Sequence, residues 1–157
     1  MAMAPPDRRS PKATVISAET PYPLRAAGAR VRLASFAPHL ADHGVELNYR
    51  PTLTEREYAI VASSASPAAK GLAVASAARR LGRRRRPADE LLLVYRLRFL
   101  LPVPGFEPAR RVDVYDFDDA LFLGSILPSN RRYRRVKNEA RRWLAYVGRA
   151  RLVIAGN

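Results

Sequence analysis

The feature that most constrains this chain is a repeated change of hydrophobic period, from short apolar runs to apolar residues spaced three and four apart. Residues 13–18 (ATVISA) are a β-branched run that reads as a buried strand, ending in the turn-rich sequence Glu19-Thr20-Pro21-Tyr22-Pro23. Leu33, Phe36, Ala37 and Leu40 take helical spacing, with Pro38 predicting a kink or break and Gly44 a stop. Val45, Leu47 and Tyr49 alternate with polar neighbours as far as Pro51, the pattern of a second strand. Thr54 and Glu57 have the spacing of a capping box, and Ser66-Pro67 opens a further helix that should run to about Leu81 before Gly82 ends it. Residues 90–96 and 112–117 are apolar runs of the kind covered on both sheet faces. Tyr133, Val136, Ala140, Trp143, Leu144 and Val147 return to helical spacing, with Arg131, Arg132, Arg134, Arg135, Arg141 and Arg142 largely opposite, and residues 151–157 form one more apolar strand. Such alternation predicts an α/β fold: a parallel sheet with helices on both faces.

Composition narrows the chemistry. The chain has no cysteine, which excludes disulfide scaffolds, thiol catalysis and thiolate metal sites. His39 and His43 are the only imidazoles and lack the acidic residue of a metallopeptidase motif, so no metal centre is expected. Residues 1–12 are polar, proline-rich and basic, and are expected to be a disordered tail. No stretch reaches the ~18 apolar residues of a membrane span. The expected location is cytoplasmic, with contact at a membrane surface. A net charge of +14 nominates phosphates, nucleic acid or an anionic membrane as partners. All the cations except Lys12, Lys70 and Lys137 are arginine, and alanine is abundant, so most of the charge reads as compositional bias. Two clusters stand apart as an expected membrane-facing patch. One is Arg83, Arg84, Arg85 and Arg86, just past a helix C-terminus where cations suit the dipole. The other comprises Arg131, Arg134 and Arg135 with their neighbours on the last helix. No helix-turn-helix, zinc-finger or RNA-binding aromatic pattern accompanies them, which favours a membrane surface over specific nucleic acid. Trp143 falls on the apolar side of its helix and is expected in the core.

In parallel sheets chemistry gathers at the carboxyl ends of the strands. After the first strand, Gly28 with Arg30 and Arg32 opens a helix in a pattern suited to anions, although no GxGxxG fingerprint is present. After the run 112–117 stand Asp116, Asp118 and Asp119, three carboxylates within four positions. Buried, they need a cation, a guanidinium or a hydroxyl donor. One reading is a cap with solvated neighbours, and another a divalent-cation site. A third is the first motif of haloacid dehalogenase-like phosphotransferases, which Asp116-Phe117-Asp118 resembles. Ala120 stands where that family usually has threonine, and Lys137 is followed by no late aspartate.

Residues 13–18 with their proline-rich loop, 29–36 (ARVRLASF), 40–47 (LADHGVEL), 94–96 (VYR), 114–122 (VYDFDDALF) and 149–157 (RARLVIAGN), taken in order, resemble the N-terminal half of glycosyltransferases with two Rossmann-like lobes, the GT-B fold. The resemblance covers residues 13–157 and includes sucrose synthase-like and mannosyltransferase-like enzymes. It implies an incomplete, acceptor-side lobe of an enzyme that moves a sugar from a nucleotide-sugar donor to a sugar or lipid-linked acceptor, usually without metal or other cofactor. The donor is then held by a second lobe, and these 157 residues alone are expected to be inactive. Asp118, with Asp116 or Asp119, becomes the expected proton acceptor, although many relatives have histidine near that position. Gly28, Arg30, Arg32 and Arg96 become the expected acceptor or phosphate contacts. The alternative of a different class is a basic module that binds membranes or nucleic acid without catalysis.

Overall fold

A computed structural model of the chain describes residues 13–103, 111–118 and 137–156. Five strands form one parallel sheet: β1 Thr14–Thr20, β2 Val45–Pro51, β3 Leu91–Tyr95, β4 Val112–Phe117 and β5 Ala150–Ala155. Their order is β2-β1-β3-β4-β5, so the sheet reverses its direction of growth between β1 and β3. Helices α1 (Ala27–Arg32) and α2 (Ala37–Asp42) join β1 to β2, α3 (Glu55–Ala62) and α4 (Pro67–Leu81) join β2 to β3, and α5 (Glu139–Val147) precedes β5.

The expected alternation is therefore present, and the side chains of β3 divide the core. Tyr95 packs with Ala18 and Leu33 on one face, whereas Leu92 and Val94 join Tyr115 and Tyr146 on the other. A third cluster, Leu53, Ala77, Leu81 and Phe99, fixes α4 over the loops that follow β2 and β3. On the α5 face the Tyr115 and Tyr146 rings stack at 5.1 Å, and Trp143 meets Phe117 edge-on at 5.6 Å, so Trp143 lies against the core as expected.

The helical segment expected around residues 33–40 is divided, the break that Pro38 predicts. α1 ends at Arg32, Leu33 leaves helical geometry (φ −122°, ψ −60°), and a 3-10 turn over Ala34–Phe36 leads into α2. Pro38 is the cause: its ring would clash with the carbonyl four residues back in a continuous helix, but it fits the first turn of a new one. Gly44 then stops the segment at φ 71°, a left-handed conformation glycine adopts without steric cost.

The capping box forms as its spacing predicts. Thr54 Oγ1 accepts from the Glu57 amide (3.2 Å), and Glu57 Oε2 accepts from the Thr54 amide (2.9 Å). Arg80 of α4 donates to both Glu57 carboxylate oxygens at 2.5 Å, tying α3 to α4. Burial alone would raise the Glu57 pKa, but these bonds from Arg80 and Thr54 overcome it and hold the pKa at about 2. A depressed carboxylate pKa contributes stability that is present above its unfolded value near 4.5 and is lost as pH falls toward 2. Arg80 is 37% exposed, so screening reduces the contribution to about 1–2 kcal/mol. Urea unfolding between pH 6 and 2.5 should reveal this acid-dependent loss, and Glu57→Gln should flatten it. An unchanged profile in the variant would show that the pair does not stabilise the fold.

One expectation about arginine is corrected. Arg142 was expected on the solvated side of its helix but is buried, donating to the carbonyls of Phe99, Leu100 and Lys137. It lies one turn before Tyr146 on the inner side of α5, and its guanidinium satisfies carbonyls of the loop after β3 that have no strand to pair with. In the 83–86 run, Arg84 donates to the Pro51 carbonyl (2.8 Å) and Arg86 to that of Glu90, so part of this cluster closes loops. Arg83, Arg84 and Arg85 are nonetheless exposed. The apolar residues of β5 remain at the sheet's edge, with Leu152 55% exposed and Val153 and Ile154 near 40%. Among the described residues no helix is long and apolar enough to cross a membrane.

Candidate functional site

The carboxyl ends of β3 and β4 bring together residues far apart in sequence. Tyr95 and Asp116 are register partners, so both side chains point to the α1 face. Arg32, the last residue of α1, reaches Asp116 with a two-pronged contact, its Nε 3.3 Å from Oδ2 and its Nη2 bonded to Oδ1. Two residues beyond, Asp118 Oδ2 accepts from the Tyr95 hydroxyl (2.6 Å), and its Oδ1 lies 3.3 Å from Arg96 Nε. The result is two carboxylates facing two guanidinium groups.

Local backbone geometry serves this arrangement. Arg96 has φ 62°, and the Leu97 amide donates to the Tyr95 carbonyl (2.8 Å), closing a three-residue turn around it. A non-glycine residue in this region costs on the order of 1–3 kcal/mol and persists where its surroundings impose it. Here they do: the Arg96 amide donates to the Asp116 carbonyl (2.7 Å), and its own carbonyl accepts from the Tyr115 hydroxyl (2.9 Å). The turn directs the guanidinium toward Asp118 and over the Tyr22 ring, 5.7 Å from its centroid.

Gly28 forms one wall. A Cβ there would stand 2.5 Å from the Tyr95 hydroxyl oxygen and 3.7 Å from Asp118 Oδ2. Only glycine leaves room for this rigid, fully buried tyrosine. Burial, and then the bond to Asp118, raises the Tyr95 pKa, so the phenol stays protonated and donates. Asp116, whose side chain is 5% exposed, has its pKa raised by burial against the opposing effect of Arg32. The Arg32 pKa is raised in turn, chiefly by its bond to Asp116. The Asp118 side chain is 25% exposed.

Of the residues expected from sequence, the structure brings together Gly28, Arg32, Arg96, Asp116 and Asp118. Arg30 does not join them: its guanidinium turns back to the carbonyls of Leu24 (3.2 Å) and Arg25 (2.9 Å). Asp119, Arg131, Arg134 and Arg135, like the tail 1–12, lie outside the described residues. Among the described residues no three histidine, aspartate or glutamate side chains converge as metal ligands. Sequence reading missed Tyr95 and Tyr22. A tyrosine at the end of a strand run, followed by arginine, was the available signal, but it gained meaning only through its register with Asp116.

Fold and site together define a Rossmann-like α/β domain with a charge-balanced aspartate–arginine cluster at its strand ends. No protein-family model, curated protein or solved structure matches the chain.

Proposed function

We propose that this chain is the acceptor-side lobe of a sugar-transferring enzyme, with Asp118 receiving the proton of the acceptor hydroxyl. The observation that carries the reading is the charge balance of the site. Because Arg32 and Arg96 already face Asp116 and Asp118, a phosphate would have to displace carboxylates to bind them. A polyhydroxylated ligand fits without that cost, since each hydroxyl can donate to a carboxylate and accept from a guanidinium or from the Tyr95 phenol. The order of motifs that resembles glycosyltransferases of the two-lobed fold supports the same reading.

In this mechanism the acceptor hydroxyl donates to Asp118, which Tyr95 and Arg96 hold in place. The oxygen attacks the anomeric carbon of the donor, the bond from that carbon to the leaving phosphate oxygen breaks, and the proton passes to Asp118. Gly28 and Arg32 shape the acceptor side, and the nucleotide-sugar donor belongs to a second lobe facing the strand ends. The 157 residues alone should bind acceptor and transfer nothing.

Amide NMR spectra recorded during titration with methyl glycosides of common hexoses test the proposal. Saturable shifts confined to residues near 95–97 and 116–118 are expected, with affinity about tenfold weaker in Asp118→Ala, since hydrogen bonds to a charged group are worth about 1.5–3 kcal/mol. Scattered shifts, or shifts indifferent to Asp118→Ala, would remove the reading. Sugar transfer by the isolated chain from a nucleotide sugar would remove its two-lobe element.

A further inference from the structure

The outer edge of β2 is an unpaired strand with opposite charge at its two ends. β2 closes one side of the sheet and pairs with β1 alone. The Gly44 carbonyl accepts from the Thr14 amide (3.1 Å), and just past the strand the Thr52 amide donates to the Thr20 carbonyl (2.8 Å). The even-numbered residues thus turn their backbone groups toward β1. Val45, Leu47 and Tyr49 turn theirs outward, where nothing among the described residues pairs with them. The next outward carbonyl, that of Pro51, accepts from Arg84 (2.8 Å) and closes the run. We propose that this edge is the interface of a homodimer, in which β2 pairs antiparallel with β2 of a second copy about a two-fold axis at Asn48.

An open edge is a template for another strand, and charge selects which strand and in which direction. The first end of the edge is acidic: Asp42 and Glu46 are exposed, and neither meets a cation among the described residues. The other end is basic. Arg50, Arg84 and Arg85 gather there, with Arg50 donating to the Arg85 carbonyl (3.1 Å) and standing a long 3.9 Å from Glu90. Partial burial, and then the Arg50 charge, lowers the Arg84 pKa, the sign of cations crowded together. A guanidinium carries more N–H donors than these Arg50 contacts use. An antiparallel two-fold sets the acidic end of each copy against the basic end of the other, whereas a parallel arrangement opposes like charges. With Asn48 on the axis, Glu46 stands opposite the partner's Arg50 and Leu47 opposite the partner's Tyr49. Leu47 and Tyr49 then exchange about four main-chain bonds across the interface. An axis at Leu47 would instead oppose Glu46 to asparagine and Arg50 to glycine, losing both ion pairs. The sheet's other edge offers no such match, since a two-fold at Leu152 or Val153 sets Arg151 against valine or alanine. Antiparallel pairing also points the strand ends of the two copies in opposite directions, so each cluster of Asp116 and Asp118 lies away from the interface, in a continuous sheet with five strands from each copy. Dimer formation is therefore independent of what that site binds.

Sedimentation equilibrium of the full chain at about 0.15 M NaCl tests the interface. Expected is a concentration-dependent dimer, weakened about tenfold or more by Glu46→Arg and likewise by Arg50→Glu, since each change turns both cross-strand pairs into like charges. An equimolar mixture of the two variants should regain the natural affinity, because each supplies the charge the other lacks. Asn48→Cys gives a second readout in a chain with no other thiol. Opposed across the axis in a non-hydrogen-bonded pair, the two cysteines stand about 4.5 Å apart at Cα, within reach of a disulfide. Mild oxidation should link this variant into covalent dimers and leave Ser64→Cys, exposed elsewhere, largely monomeric. Thermal melts followed by circular dichroism check that each variant folds, and the cysteine pair decides alone if Arg50→Glu does not. A monomer at every concentration, a dimer indifferent to the charge variants, or equal cross-linking at both cysteines overturns the proposal.

Discussion

Tyr146→Ala should remove about 3–5 kcal/mol of stability, the range for deleting a large buried aromatic side chain. Tyr146 is fully buried, and its ring stacks on Tyr115, itself fully buried in β4. Truncation would leave a cavity between α5 and the sheet and remove an aromatic pair worth about 0.5–1.5 kcal/mol beyond area alone. Among the described residues the other apolar anchors of α5 are Trp143 on Phe117 and Val147, and Arg142 adds its bonds to the Phe99 and Leu100 carbonyls. Against a typical total of about 5–15 kcal/mol, the variant should be marginally folded at best. Urea unfolding followed by tryptophan fluorescence is direct, because Trp143 is the only tryptophan and sits on the same helix. Tyr146→Phe, which keeps the ring, should retain most of the stability. Similar losses in the two variants would mean that the hydroxyl, not ring packing, docks the helix.

The fold was largely legible because its elements have strong local signals. Thr54 and Glu57 announce a helix start by spacing alone, and β4 occupies the residues its apolar run marks. Less legible were features set by tertiary partners. Arg142 reads as a surface cation, since nothing local reveals that the loop after β3 would offer it two carbonyls, beside that of Lys137. β5 reads as one more apolar strand, but its place at the end of the strand order decides its exposure. The candidate site divides along the same line. Asp116 and Asp118 stand out by clustering, and Gly28 and Arg32 by following a strand. The pairing that neutralises the cluster depends on α1 ending where Arg32 can reach across the sheet to β4, a consequence of the helix break that Pro38 causes. Sequence alone therefore suggests a phosphate-seeking Arg30 and Arg32, whereas geometry gives Arg32 to a carboxylate and Arg30 to a loop.

That pairing supplies the second large effect. Arg32→Met should destabilise the domain by about 2–4 kcal/mol at pH 7, because it leaves the Asp116 carboxylate buried without its cation. The pH dependence identifies the cause. Burial already raises the Asp116 pKa and Arg32 opposes it, so removing the guanidinium raises it further. A carboxyl whose folded pKa exceeds its unfolded value favours the protonated native state. Its contribution is fully present below the unfolded pKa and is lost as pH rises through the folded one. The variant's deficit relative to the natural chain should therefore be largest near neutrality and shrink as pH falls toward 4. Urea unfolding at several pH values measures this, and adding Asp116→Asn to Arg32→Met should recover part of the loss at pH 7, since the double variant buries no unpaired charge. A deficit that stays constant with pH, or that the second substitution deepens, would mean that Arg32 stabilises by packing over Gly156 rather than by answering Asp116. The outcome also bears on the site's chemistry. If the carboxylate tolerates loss of its guanidinium only when protonated, then the cluster's neutrality is built into the fold, and a neutral polyhydroxylated ligand suits it better than an anion.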